Sequence, residues 1–129
     1  MKQEREVAAQ PEDLSRLFLE RANLGNVDGV VALYEVDAVL ANLPVEEITG
    51  IGAIRQFYER LFEGKPSFRG NTKAALRHGD LALTSTEFSI SAPGPSGEPT
   101  AIRSATAEVA RRQPDGTWLW ALDQPNILS

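Results

Sequence analysis

Three side chains in this 129-residue sequence have the chemistry for proton transfer: Glu108, Asp123 and the single histidine, His78. A carboxyl group removed from water resists ionisation and can donate a proton or a hydrogen bond near neutral pH, while a second, ionised group nearby serves as base. Glu108 lies upstream of Gln113-Pro114-Asp115-Gly116-Thr117, which suits a three-residue loop with proline setting φ at its first position and glycine at its last. If Gln113 faces Thr117, then Arg112 faces Trp118, Ala110 faces Trp120 and Glu108 faces Leu122, all on one side of the sheet. The other side would then hold Val109, Arg111, Leu119, Ala121 and Asp123. Glu108 is either a pocket acid beside two indoles, its charged form desolvated, or an exposed strand carboxylate paired with Arg112 or Arg103. Asp123 precedes Gln124-Pro125, where a strand must end, and is either a rim acid or a turn-forming aspartate. His78 sits in the turn Arg77-His78-Gly79-Asp80, where its ordinary pKa suits acid–base work and its position suits solvation.

Binding candidates are of other types. Asn42, near the end of a short apolar run, could orient a ligand carbonyl or a water, or be an ordinary strand-end amide. Phe18, Phe57, Tyr58, Trp118 and Trp120 could wall a flat ligand or simply form core, and Tyr34 adds a phenol that reads as packing on an amphipathic helix. Ser85 and Ser104 lack a histidine placed to activate them, and Glu87 and Arg103 read as a cross-strand ion pair. Gly50-Ile51-Gly52 has neither a phosphate-loop lysine nor a dinucleotide fingerprint. Zero cysteines and one histidine exclude a disulfide framework, a thiolate site and a multi-histidine metal cluster, so neither metal nor cofactor is expected. With 13 basic against 18 acidic side chains, a net charge of -5 argues against a nucleic-acid ligand.

Positioning these groups requires a scaffold, and the apolar periodicity supplies one. Residues 1–10 are polar without an apolar face and read as a flexible arm; residues 11–129 form a single domain. Leu14, Leu17, Phe18 and Ala22 repeat at helical spacing after Pro11, Gly25 stops that helix, and Asn26 caps a second through Tyr34. Residues 38–45 suit a strand, after which Glu46-Glu47 and Thr49-Gly50 restart the helical period. Ile51, Ile54, Tyr58, Leu61 and Phe62 then mark the clearest helix, ended by Gly64 and Pro66. Beyond Pro66 the period is two, with strands expected at 67–77, 80–91, 100–112 and 117–123. Helices followed by strands indicate an α+β fold with an antiparallel sheet.

Four segments carry a resemblance: Gly25-Asn26-Val27-Asp28-Gly29-Val30-Val31-Ala32-Leu33-Tyr34, Gly50-Ile51-Gly52-Ala53-Ile54-Arg55-Gln56-Phe57-Tyr58, Gly79-Asp80-Leu81-Ala82-Leu83, and Arg111-Arg112-Gln113-Pro114-Asp115-Gly116-Thr117-Trp118. In that order they resemble the SnoaL-like and ketosteroid-isomerase-like branch of the nuclear transport factor 2-like superfamily over residues 11–126. The resemblance implies a cone, a strongly curved antiparallel sheet wrapped around about three N-terminal helices, with a pocket at its open end and a homodimer built on the sheet. Ketosteroid isomerases use an aspartate base with a tyrosine and a protonated aspartic acid on the enolate oxygen. Alignment to them puts Phe18 at the tyrosine, Asn42 at the base and Glu108 at the oxyanion acid. Two of the three groups are thus absent, which argues against steroid isomerisation itself.

The expected function is binding of a small apolar or aromatic molecule, with cofactor-independent acid–base chemistry of the isomerase or cyclase type at Glu108. Asp123, His78 or a water would then supply the base. The alternative is a non-catalytic ligand-binding or dimeric association module. No signal-peptide-like apolar run follows the first residues and no eighteen apolar residues are contiguous, so the expected location is cytoplasmic, without membrane contact.

Overall fold

A computed structural model describes residues 5–42, 46–73, 75–95 and 97–127. Helix α1 (Asp13–Asn23) opens where Asp13 Oδ2 accepts the backbone N–H groups of Ala9 and Gln10, and it buries Leu14, Leu17 and Ala22. Gly25, at φ +66°, turns the chain, and Asn26 Oδ1 caps helix α2 (Val27–Val31) by accepting from Gly29 N at 2.9 Å. The helix stops earlier than its apolar run suggests, because Tyr34 already belongs to strand β1 (Tyr34–Asn42). Strand β2 (Glu46–Thr49) pairs antiparallel with β1, so the segment expected to restart a helix completes a hairpin instead. Gly50, at φ +87°, leads into helix α3 (Ile51–Glu63), whose Ile54, Tyr58 and Phe62 are buried as the periodicity requires.

The remaining chain is β, with each long expected strand broken near its middle. The strands are β3 (Ser67–Thr72), β4 (Leu76–His78), β5 (Leu81–Thr84), β6 (Thr86–Pro93), β7 (Pro99–Ala105), β8 (Ala107–Arg112) and β9 (Trp118–Gln124). They form a six-stranded sheet in the order β2-β1-β9-β8-β5-β4 and a three-stranded sheet β3-β6-β7. The two are joined at a bend where β5 passes into β6 at Ser85 and β7 into β8 at Thr106. Ser85 Oγ donates to the Thr106 carbonyl at 2.6 Å, and the Thr86 and Thr106 backbones and hydroxyl bond one another across the corner. The curved sheet is mixed, not purely antiparallel: β1 runs parallel to β9, uniting the first and last strands.

The segment before α1 is docked. Ala8 is buried, its carbonyl accepts the Trp118 N–H at 2.9 Å, and Arg21, itself buried, donates to the Glu6 and Gly29 carbonyls. An apolar Ala8 and the Arg21 guanidinium tie residues 6–8 to the domain; residues 1–4 lie outside the described residues. Leu14, Leu17, Val30, Leu40 and Ile54 are fully shielded between helices and sheet, each contributing roughly 1.5–3 kcal/mol of burial.

Candidate functional site

Between the helices and the inner face of the sheet lies a cavity of about 230 Å3. Phe18 and Leu19 of α1, Phe57, Tyr58 and Leu61 of α3, and Phe68, Phe88, Ile90, Ile102 and Trp120 of the sheet make it predominantly apolar. Its polar lining is sparse: Ser15 and Thr86, whose hydroxyls bond one another at 2.8 Å, Ser104, Thr106, Asn126, and the two carboxyl groups of Glu108 and Asp123.

The carboxyl groups meet because β9 is irregular. Pairing follows the turn-derived register through Arg112↔Trp118, Arg111↔Leu119 and Ala110↔Trp120, then slips by one residue, so that Val109 faces Leu122 and Glu108 faces Asp123. A bulge around Ala121 accounts for this, since one extra residue reverses the alternation beyond it. Leu122, expected on the indole side, is half exposed, and Asp123, expected on the opposite side, is turned inward and only 6% exposed. Directly opposite residues in an antiparallel pair have Cβ atoms ~4.5–5.5 Å apart. One row across the sheet thus reads Thr84, Glu108, Asp123, Leu40.

Hydrogen bonds divide the two acids. Thr84 Oγ1 donates to Glu108 Oε1 at 2.9 Å, and Thr106 bonds it as well. Tyr34 Oη donates to Asp123 Oδ2 at 2.5 Å and lies 2.6 Å from Tyr58 Oη, so with its own proton committed it receives that of Tyr58. Burial pushes the Glu108 carboxyl up to about 8, with the neighbouring Asp123 charge adding to the rise and the threonine bonds opposing it. Burial also lifts Asp123, to about 6, and the Tyr34 hydrogen bond restrains it. Both phenols are raised well above their ordinary value by burial and by the Asp123 charge, so they stay protonated donors. The pair therefore holds a single proton near neutrality.

The other candidates separate. Trp120, Phe18, Phe57 and Tyr58 line the cavity; Tyr34 is buried behind it, acting through its hydroxyl from the start of β1. Trp118 is core at the far end, packed under the Arg77 and Arg112 guanidinium groups at 5.0 and 5.9 Å, and has no place in the lining. Asn42 ends β1 opposite Glu46, outside the lining, and His78 ends β4 in an exposed position paired with Leu81, so neither joins the acids. Arg112 pairs with Asp80 and Glu87 with Lys73, in place of Glu108 and Arg103. Thr84 and Thr106 were missed in the sequence; the alternation of β5 against β8 is the signal that reaches Thr84. Among the described residues no three His, Cys, Asp or Glu side chains cluster to hold a metal ion, and no helix is long and apolar enough to cross a membrane.

Solved structures share this architecture. The ketosteroid isomerase-like protein of Erwinia carotovora atroseptica superposes with a TM-score of 0.80 at 19% identity, covering 92% of this chain and 93% of that one. A nuclear transport factor 2-like protein with a cystatin-like fold from Novosphingobium aromaticivorans gives 0.76 at 18% identity over 92% and 79%. A candidate calcium/calmodulin-dependent protein kinase II association domain from Xanthomonas campestris gives 0.69 at 19% over 100% of both. At these identities the likeness is one of fold. No curated protein matches the chain significantly. The sequence model of the SnoaL-like domain matches residues 15–120, spanning α1 through the indole side of β9, and the chain belongs to the SnoaL-like domain family.

Proposed function

We propose that the chain binds a small apolar or aromatic carbonyl compound and shifts a proton on it, in cofactor-independent chemistry of the isomerase or cyclase type. The observation that carries this reading is the buried Glu108–Asp123 pair in the wall of an otherwise apolar cavity. Asp123, ionised and held by Tyr34, takes a proton from the carbon next to the carbonyl. The released electron pair moves onto the carbonyl oxygen, and protonated Glu108 stabilises the developing enolate by hydrogen bonding, as environments that push two pKa values apart allow. Return of the proton to the same or a different carbon completes exchange or isomerisation. The name of the Erwinia relative agrees with this class. Phe18 and Asn42 remain arguments against steroid isomerisation itself.

Exchange tests the proposal without knowledge of the natural substrate. Loss of the α-proton signal of small aryl ketones in deuterium oxide, followed by NMR, should be faster with protein than with buffer. Asp123→Asn should bring the rate to background and Glu108→Gln should lower it by roughly 10²–10³. Unchanged exchange in Asp123→Asn would place the base elsewhere, and no catalysed exchange despite ligand binding would leave a binding module.

An association role has its own support. On the outer face Val39, Leu122, Val109, Leu83 and Leu76 stand in register across β1, β9, β8, β5 and β4, with Leu76, Leu83 and Leu122 at least about half exposed. Such a stripe fits a homodimer built on the sheet, and the Xanthomonas relative is named for association. Sedimentation of wild type as a dimer and of Leu83→Lys/Leu122→Lys as a monomer is the expected result.

A further inference from the structure

The outer face of the three-stranded sheet carries two cations that no described residue neutralises. Phe68, Ile90 and Ile102 line the cavity on the inner side, so alternation sends Arg69, Ser89 and Arg103 to the opposite face. There they form one row across β3, β6 and β7, with Arg69 and Arg103 each directly opposite Ser89. Each arginine Cβ is thus ~4.5–5.5 Å from that of Ser89, and both long side chains can lean over the serine hydroxyl. Both arginines are exposed, and neither guanidinium has an ion-pair or hydrogen-bond partner among the described residues.

The nearest acid is engaged elsewhere. Glu87 stands one row away, opposite Asn71 and Ala105 and diagonal to both arginines, yet its carboxylate lies 3.5 Å from Lys73 Nζ. The two arginines, Ser89, Asn71 and Glu87 surround a concavity in the sheet surface. Two guanidinium forks, a hydroxyl and an amide offer more N–H and O–H groups than the two oxygens of a carboxylate can use. A phosphoryl group matches them better, with three acceptor oxygens and a charge of roughly −1.5 to −2 near neutrality. A polyanionic chain fits poorly, because the protein carries a net charge of -5 and Glu87 flanks the row.

We propose that this face binds a small-molecule phosphate monoester, its phosphoryl group seated over Ser89 between Arg69 and Arg103. The site lies across the sheet from the apolar cavity and stands whether or not the carboxyl pair there is catalytic.

Phenyl phosphate and phenyl sulfate share a ring and differ in charge, because only the phosphate has a second ionisation, near pH 6. Titrated at pH 7.5 into the full ¹⁵N-labelled chain, phenyl phosphate should saturably shift the Ser89 amide and the Arg69 and Arg103 Nε–H signals. It should bind about tenfold more tightly than phenyl sulfate. Arg69→Gln and Arg103→Gln should each weaken it about tenfold, whereas Arg60→Gln, which removes the same charge from α3, should leave it within about twofold. Melting temperatures of the variants separate loss of the site from loss of the fold. Where a substitution lowers them, wild-type affinity for phenyl phosphate decides: it should rise about tenfold from pH 5 to pH 7.5 as the second charge appears. No saturable binding, equal affinity for phosphate and sulfate, or affinity unchanged in Arg69→Gln/Arg103→Gln overturns the site. A single-stranded oligonucleotide that binds more tightly than phenyl phosphate, and is lost in the same double variant, overturns the small-molecule occupant in favour of a nucleic-acid backbone.

Discussion

Glu108 and Asp123 are chemically alike and differ in their hydrogen-bond partners. Glu108 accepts from hydroxyls of Thr84 and Thr106, Asp123 from a phenol already backed by a second phenol, while burial and their mutual repulsion keep one proton on the pair. Catalysed exchange should therefore rise with pH through about 6, as Asp123 ionises, and fall above about 8, as Glu108 loses its proton. Because the Tyr34 bond lowers the Asp123 pKa, Tyr34→Phe should move the acidic limb to higher pH by roughly one unit or less, with the alkaline limb little changed. A pH–rate profile checks this, and an acidic limb that stays in place would detach Tyr34 from the titrating group. Glu108 was legible in the sequence because the alternation before a well-marked turn put it beside indoles. Asp123 was placed on the wrong face, because a bulge is a long-range compromise between β9's two neighbours and Ala121 carries no local sign of it.

Elements legible in the sequence were those with strong periodicity and explicit stops: α1 up to Gly25, α3 between Gly50 and Gly64, and the β8–β9 turn. The antiparallel β1–β2 pairing was not, because its second strand opens on two glutamates that alone leave strand and helix ambiguous. Tyr34 follows Val30, Val31 and Leu33 at a spacing that suits a helix; the Leu33 carbonyl, accepting the Trp120 N–H at 2.8 Å, draws the chain into the sheet instead. The corner between α1 and α2 that starts this path is tightly built. A Cβ on Gly29 would lie 2.5 Å from Asn26 Nδ2 and 2.8 Å from Arg21 Cδ, disturbing both the cap and the buried guanidinium. Gly29→Ala should cost about 1–3 kcal/mol, read as a melting temperature lower by several degrees, while exchange at the distant carboxyl pair is retained. An unchanged melting temperature would mean that the Asn26 cap contributes little.

For the molecule as a whole, the order of helices then strands predicted α+β correctly, whereas the parallel β1–β9 contact that closes the sheet joins distant segments and leaves no local trace. The same closure buries the two acids, with a consequence for stability. In the unfolded chain Glu108 ionises near its ordinary value of about 4.3, and in the folded protein near 8, so between those limits the native state holds a proton that the unfolded state has released. Folding stability from this group is accordingly complete below about pH 4, declines as pH rises and levels off beyond about pH 8, a loss on the order of 5 kcal/mol. Asp123 adds a smaller decline ending near pH 6. Glu108→Gln keeps an acceptor for Thr84 and cannot ionise, so its advantage over wild type should grow by about 4 kcal/mol from pH 4.5 to pH 9 in urea denaturation. Exposed carboxylates with lowered pKa values, Glu6 and Asp115, contribute equally to both proteins and cancel in that difference. A pH-independent difference would show that Glu108 is solvated in the native state and would remove the acid from the proposed reaction. A growing difference would show a carboxyl retained against stability at the pH where its proton is chemically useful, as expected of a site kept for its chemistry.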